Sequence, residues 1–157
     1  KTGKNYVEYY DTDDWTSHVD VKDHVLKFTT DDKGKHKAIV SLGFGKDTAA
    51  RLYLADAEYK EIAVTTLSGY VTIQDVNAGT VNVSASSGDI DLESCDAEKF
   101  DITTSSGDVD MEITAGRTYR FETKTNSGDV DVPDGDADSG YLCKIVTSSG
   151  DVDVKQK

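Results

Sequence analysis

A short motif recurs five times in the last two-thirds of the chain: a Ser-Gly dipeptide, four times followed by aspartate. Successive glycines lie 19, 19, 21 and 22 residues apart. The first copy, Leu67-Ser68-Gly69-Tyr70, is degenerate. The five glycines are Gly69, Gly88, Gly107, Gly128 and Gly150. Self-similarity at such a period is typical of architectures built from stacked structural units.

Apolar side chains keep fixed distances from these glycines. They stand seven and five residues before each glycine and two and four residues after it, and the positions between them are mostly polar. The four columns are Ile62, Val81, Phe100, Phe121 and Cys143; Val64, Val83, Ile102, Thr123 and Ile145; Val71, Ile90, Val109, Val130 and Val152; and Ile73, Leu92, Met111, Val132 and Val154. Period-two alternation on both sides of a turn predicts two short strands per unit. One unit cannot bury its own apolar face, so the pattern predicts stacking into a flattened tube.

We therefore predict an all-β fold, a parallel β-solenoid of about five short coils with an N-terminal β cap. We expect residues 1–157 to form a single domain, with capping strands in residues 1–60 and the five-coil repeat region in residues 61–157. Tandem β-hairpins would also alternate with a period of about 20 residues, but the Ser-Gly turn recurs in one phase only, which favours the solenoid. The longer loops, residues 93–99, 114–120 and 133–141, are expected opposite the Ser-Gly turns.

Residues 1–60 do not repeat and predict strands that begin the solenoid and cover its first coil. Leu26 and Phe28, and then residues 38–42, alternate with polar neighbours, and residues 31–35 read as the hairpin turn between them. Leu52 and Leu54 begin another strand. The aromatic residues within 6–15 either pack as part of the cap or offer exposed rings to a sugar or a partner protein.

The charge is strongly negative and unevenly placed. The net charge is −13; residues 1–60 hold 11 acids and 10 bases, whereas residues 61–157 hold 19 acids and 7 bases. An acidic solenoid repels phosphate, so we expect neither nucleic acid nor anionic lipid as a partner. No apolar run approaches the ~20 residues that cross a bilayer, so we expect no membrane insertion by this segment. Because the chain begins at Lys1 rather than Met, we expect it to be anchored or targeted by a segment that it does not contain.

The repeat resembles a bacterial family. The run Ser105-Ser106-Gly107-Asp108-Val109-Asp110-Met111, its copies ending Asp151-Val152-Asp153-Val154, and the lead-in over residues 51–68 are similar to the β-strand-repeat family of proposed adhesins called DUF4097. The resemblance covers most of the chain and is weakest before Val19. It implies a right-handed β-helix-like fold, often displayed outside the membrane of Gram-positive bacteria and in some relatives associated with envelope stress. It implies no catalytic residues, because none are assigned to the family.

Aspartate pairs flank an inward Val or Ile after four of the turns, so both members of each pair should point outward. The pairs are Asp89/Asp91, Asp108/Asp110, Asp129/Asp131 and Asp151/Asp153. Stacking sets like carboxylates about 5 Å apart, where they repel and where Ca²⁺ would relieve the repulsion. The candidate metal ligands are Asp108, Asp110, Asp129 and Asp131. The alternative is that backbone N–H groups bond the first aspartate of each pair, while water and basic side chains screen the rest.

A second acidic segment, residues 134–140, begins like an EF-hand loop with Asp134, Asp136 and Asp138. Its glycine comes one place late, and its twelfth position is Ile145 rather than glutamate. We therefore predict a solvated turn rather than a calcium loop.

Catalytic chemistry has little support, and we predict that the chain is not an enzyme and uses no cofactor. The three histidines, His18, His24 and His36, lie in the N-terminal part without metal-ligand spacing. No serine sits in a Gly-x-Ser-x-Gly elbow. A glycosidase pair among the many carboxylates stays open as an alternative. Arg117 and Arg120 either neutralise a uronate, as in a polysaccharide lyase, or shield local acids.

The expected function is a non-catalytic cell-surface module for adhesion or protein contact, extracellular or in the cell envelope, with a protein or glycan partner. The alternative is a carbohydrate- or Ca²⁺-binding β-solenoid linked to an envelope-stress response. The final strand, residues 151–157, should be the open end of the stack, with Lys155 and Lys157 as edge guards and self-association as its use. The repeat register predicts two free thiols, with Cys143 in the core and Cys95 in a more accessible loop.

Overall fold

The computed structural model describes residues 6–8, 15–22, 25–32, 51–53 and 58–157, and this part of the chain contains β-strands and no helix. The strands in chain order are β1 (Tyr6–Glu8), β2 (Trp15–Lys22), β3 (Val25–Asp32), β4 (Arg51–Tyr53), β5 (Glu58–Ser68), β6 (Val71–Gln74), β7 (Asn77–Ser87), β8 (Ile90–Ser106), β9 (Val109–Ile113), β10 (Tyr119–Lys124), β11 (Val130–Asp131), β12 (Tyr141–Val146) and β13 (Val152–Gln156).

The N-terminal strands pair with one another in antiparallel fashion. β2 pairs with β3, β1 pairs with β4, and β3 lies beside β5. The strands predicted at Leu26 and Phe28 and at Leu52 are confirmed as β3 and β4. The predicted strand over residues 38–42, Leu54, most of the predicted hairpin turn and the aromatic side chains of residues 6–15 lie outside the described residues.

From β5 onward every strand pair is parallel, which confirms the predicted solenoid. Each coil has one strand before its Ser-Gly turn and one after it. In chain order, coil 1 is β5 and β6, coil 2 is β7 and the start of β8, coil 3 is the rest of β8 and β9, coil 4 is β10 and β11, and coil 5 is β12 and β13. The strands before the turns form the upstream sheet, and the strands after the turns form the downstream sheet.

All four predicted apolar columns are confirmed. Val81 lies between Ile62 and Phe100, and Ile90 lies between Val71 and Val109. A third column of the upstream sheet, three residues before each glycine, also faces inward and was not predicted. Its members are Thr66, Ala85, Thr104, Thr147 and Thr125. This column was missed because four of its five residues are threonine, although the column continues the period-two alternation.

The coils do not stack in chain order. β12 pairs with β8 on one edge and with β10 on the other, and β13 lies likewise between β9 and β11. The stack therefore runs coil 1, coil 2, coil 3, coil 5, coil 4. The prediction that residues 151–157 form the open end is wrong, because β13 lies between β9 and β11, with Val152 and Asp153 paired on both edges; coil 4 is the last coil.

The burial of coil 5 agrees with its place inside the stack. Its inward side chains Cys143, Ile145 and Val152 are buried because a coil covers each side of them. The inward side of coil 4 is more polar, since it carries Thr123 and Thr125. Both threonines are partly exposed, and exposing their hydroxyl groups costs less free energy than exposing apolar side chains would. Val130 of coil 4 is 42% exposed at the open end.

The connection between coils 2 and 3 is a bent strand and not a loop. The loop predicted over residues 93–99 lies inside β8, where a register shift between Leu92 and Cys95 and a positive φ of 54° at Ser94 turn the corner. The other two predicted loops, residues 114–120 and 133–141, are found between strands at residues 114–118 and 132–140. These are the connections that skip a position in the stack and return to it.

The repeat glycines fit a turn in which neighbouring coils nearly touch. Gly88 has a φ of 117°, and a Cβ atom there would lie 2.1 Å from the carbonyl oxygen of Gly69 in the next coil. Only glycine tolerates both this positive φ and such a close approach of the neighbouring backbone. The same contact recurs up the stack, so any side chain would force the coils apart.

Candidate interaction surface

The first aspartate of each pair builds the turn. The backbone N–H of Asp108 donates to Asp89 Oδ1 at 2.9 Å, that of Asp151 to Asp108 Oδ1 at 2.9 Å, and that of Asp129 to Asp151 Oδ1 at 2.8 Å. The interpretation in which these carboxylates serve backbone donors is thereby confirmed. Asp129 ends the series, and within the described residues its carboxylate accepts no such bond.

The second aspartate of each pair forms a column on the outer surface of the downstream sheet. The column runs Asp91, Asp110, Asp153 and Asp131 in stack order. Burial, then the charges of Glu93 and Asp110, raise the pKa of the Asp91 carboxyl. Like charges thus repel along this column, which we call the acidic column.

Two lysines oppose this repulsion. Lys155 Nζ lies 3.0 Å from Asp153 Oδ2, and this hydrogen bond together with the charge of Asp153 raises the Lys155 pKa. Lys157 pairs with Glu112 and lowers the pKa of that carboxyl. The two lysines therefore neutralise acids of the downstream sheet.

The candidate metal ligands do not converge. Coil 5 lies between coils 3 and 4, so Asp108 and Asp110 are separated from Asp129 and Asp131 by an intervening coil, about 10 Å in all at ordinary strand spacing. The Asp108 carboxylate also accepts a hydrogen bond from the backbone N–H of Asp151. Within the described residues, no group of three or more His, Cys, Asp or Glu is arranged to hold a metal ion.

The loop over residues 132–140 lies along the free edge of coil 4. The Asp136 N–H donates to the carbonyl of Tyr119 at 2.9 Å, and Asp138 N–H donates to Asp136 Oδ1 at 2.9 Å. Gly135 is close enough that a Cβ would lie 2.7 Å from the Tyr119 carbonyl oxygen. The segment is a turn held by its own side chains, in agreement with the prediction, and it covers part of the open end.

An ion pair and an aromatic cluster close the corner beside this loop. Arg117 binds Asp96 through Nε at 2.8 Å and through a second nitrogen at 3.1 Å, and its guanidinium lies 4.8 Å from the centre of the Tyr141 ring. Tyr119 is buried beneath, with its hydroxyl donating to the Ala97 carbonyl at 2.7 Å. Arg120 pairs with Glu122 at 3.1 Å. Both arginines thus shield local acids, and the Tyr141 ring face beneath Arg117 is covered.

Both cysteines are free, as predicted, and both are buried, which was predicted for Cys143 only. Cys143 lies between Phe100 and Phe121, and burial raises its pKa to about 12. The prediction that Cys95 is accessible is wrong, because this residue lies within β8 and is buried. Its thiol donates to the Ile73 carbonyl at 3.5 Å. Burial is the main cause that raises the pKa of the Cys95 thiol to about 11.

The described coils define a class: a parallel β-solenoid whose glycines and first aspartates build the turns and whose downstream sheet presents acids outward. The chain belongs to the Toastrack DUF4097 family, whose sequence profile matches residues 2–157. This match confirms the resemblance seen in the repeat. Among curated proteins, none matches this chain.

A solved structure shares the fold. It is the crystal structure of a "putative cell adhesion protein" from Clostridium sporogenes, with a TM-score of 0.61 and 18% sequence identity, and the match covers 98% of this chain and 82% of that one. In the part of this chain that the structure describes, no helix is long and apolar enough to cross a membrane.

Proposed function

We propose that this chain is a non-catalytic module that binds a protein partner at the cell surface, with the acidic column of the downstream sheet as its contact. The observation that carries the proposal is the register of the downstream sheet, which sets Asp91 beside Asp110, Asp110 beside Asp153 and Asp153 beside Asp131 on one outer surface. A partner that presents lysine and arginine side chains would relieve the repulsion between these like charges on binding.

Display outside the cell, through an anchor outside this chain, is part of the proposal. It is supported by the name of the Clostridium sporogenes protein and by membership in the family. The absence of enzymatic activity is supported by the roles of the repeated Ser-Gly-Asp residues, which are engaged in turn hydrogen bonds and coil contacts.

The test is binding of fluorescently labelled protein to intact bacterial and animal cells by flow cytometry. The variant D91N/D110N/D131N removes three charges from the acidic column and is expected to lose binding. The matched control, D134N/D138N/E98Q, removes three charges at exposed positions elsewhere and should bind normally. Protease treatment of the cells should abolish binding. Equal binding by both variants and the unmodified protein would contradict the proposed surface.

A second candidate function is Ca²⁺ or glycan binding. No three acids of the described residues form a metal site, but adjacent pairs such as Asp110 and Asp153 lie at strand separation, where a cation held otherwise by water would relieve their repulsion. Thermal melting with and without Ca²⁺ separates the two candidates, because a bound cation raises the melting temperature. Loss of cell binding after periodate oxidation, but not after protease, would favour a glycan.

A further inference from the structure

The slot that coil 5 fills is built by earlier parts of the chain. One wall is coil 3, through β8 and β9, and the other wall is coil 4, through β10 and β11. Coil 4 precedes coil 5 along the chain, yet coil 5 lies between coil 4 and coil 3. If coil 4 reaches the stack before coil 5, the slot stands open when coil 5 enters it.

The contacts that hold coil 5 are largely repetitive backbone ladders. Residues 142–146 pair with residues 99–103 on one edge, and residues 141–146 pair with residues 119–124 on the other. At the turn, the Gly107 N–H donates to the Ser149 carbonyl at 3.0 Å, and the Gly150 N–H donates to the Ser127 carbonyl at 3.0 Å. Coil 5 of a second copy would make every one of these bonds equally well.

Coil 4 has an alternative place while coil 5 is absent. Its inward columns match those of coil 3, so direct stacking would set Phe121 on Phe100 and Val130 on Val109. When coil 4 stacks directly on coil 3, coil 5 has no slot to enter and its inward face is exposed. Its side chains at Cys143, Ile145, Val152 and Val154, buried in the closed form, would face water. This apolar surface favours entry into any open slot.

The connection between coils 4 and 5 is suited to reach another molecule. Residues 132–140 are largely exposed and, when extended, bridge up to roughly 30 Å. The loop is tied down by few bonds, chiefly Asp136 N–H to the Tyr119 carbonyl and Ser139 Oγ to the Thr118 carbonyl at 2.5 Å.

We propose that the slot between coils 3 and 4 is a strand-exchange site whose second occupant is coil 5, Tyr141–Val146 and Val152–Gln156, of another copy of this chain. Reciprocal exchange gives a domain-swapped dimer in which each copy regains all the ladder bonds of coil 5. The proposal goes beyond the surface function, because it names the chain itself as a partner; in the exchanged dimer the acidic column is completed by Asp153 of the other copy.

Disulfide trapping tests the exchange. Thr103 and Val146 are paired neighbours on the outer surface of the upstream sheet, at a separation that a disulfide spans. One sample carries T103C, the other carries V146C, and each carries a different tag. The two are mixed at high concentration, warmed into the start of unfolding, cooled and oxidised. About half of the dimers should contain one chain of each kind and become covalent heterodimers.

Controls make each outcome decisive. The double variant T103C/V146C, folded dilute, should close within one chain, which verifies the geometry. Each single variant alone should give no covalent dimer. The pair E122C and K144C, placed on separate chains, should cross-link as well, because Glu122 pairs with Lys144 across coils 4 and 5.

Three results would overturn the proposal. These are the absence of any dimer, dimers that form without covalent heterodimers, and cross-linking through residues 103 and 146 but not through residues 122 and 144. The last result would mean that coils 4 and 5 move together. None of these results bears on cell binding by the monomer, so failure of exchange and failure of the surface function are distinguishable.

Discussion

The backbone N–H of Asp129 donates a hydrogen bond of 2.8 Å to the carboxylate of Asp151, which lies 22 residues further along the chain. The other two bonds of this series run from a later residue to an earlier one, as from Asp108 to Asp89. The reversal at Asp129 marks the position where coil 5 enters the stack. Three coils are therefore joined at their turns by the carboxylates of Asp108 and Asp151.

Removing a carboxylate from the middle of this series should cost more than removing it from the end. Asp108→Ala leaves the Asp151 N–H without its acceptor and should lower the free energy of unfolding by about 1–2 kcal/mol. Asp129→Ala is the matched control and should change it little, since no N–H of the described residues bonds that carboxylate. Asp108→Asn keeps an acceptor oxygen and should fall between them. Urea denaturation measures all three, and an equal loss for D108A and D129A would contradict the assigned bonds.

Two glycines with the same φ separate backbone strain from crowding. Gly88 and Gly116 both have a φ of 117°, but a Cβ at Gly116 meets nothing within 4 Å, whereas one at Gly88 would lie 2.1 Å from a carbonyl oxygen. Gly116→Ala should cost about 1 kcal/mol from its backbone conformation alone. Gly88→Ala should cost at least about 3 kcal/mol or prevent folding, because neighbouring coils must separate. Similar melting temperatures for the two variants would be incompatible with the close turn contact.

Neighbouring residues of β9 should respond to substitution in opposite ways. Val109 is fully buried, so Val109→Asp places an unpaired charge in the core and should lower the free energy of unfolding by about 3 kcal/mol or more. Asp110 is exposed in the acidic column, and Asp110→Ser should be neutral or slightly stabilising because a like charge is removed. Chemical denaturation in the absence of Ca²⁺ checks both; a clear loss of stability in D110S with Ca²⁺ present would indicate a bound cation instead.

The buried thiols should make the fold sensitive to alkali. Burial raises the pKa of Cys143 from 9.0 to about 12, so the folded state holds a proton that the unfolded state releases. The stability from this group is complete below pH 9 and is lost as the pH rises from 9 towards 12, at up to about 1.4 kcal/mol per pH unit. Cys143→Val should therefore lose less stability than the unmodified protein between pH 8 and pH 10. Parallel stability profiles for the two proteins would show that the thiol is not protected.

The columns of the repeat could be read from the sequence because each coil carries the same period-two pattern. Val109 and Ile102 are predicted to be buried by that pattern alone, and both are. The order of stacking could not be read in this way, since a column is equally continuous whichever coil follows coil 3. Two weaker signals were present: the longer spacings of 21 and 22 residues before Gly128 and Gly150, and the polar Thr123 in coil 4.

The candidate surface was only partly predictable for a related reason. That Asp110 points outward follows from alternation, but its neighbour in space is Asp153 of the inserted coil and not Asp131. The burial of Cys95 depends on the bend within β8, where a non-glycine residue, Ser94, takes a positive φ. Short-range sequence rules place such a bend in a loop, because they favour glycine at positive φ.

The inserted coil also separates the order of synthesis from the order of assembly. Coils 1 to 3 can settle one upon another as they leave the ribosome, each finding its neighbour already in place. Coil 4 cannot, because the surface on which it finally rests is made from residues translated after it. A nascent chain from which coil 4 has emerged but coil 5 has not therefore holds three finished coils and a fourth in a provisional position, and in that state a chaperone or a neighbouring nascent chain competes with coil 5.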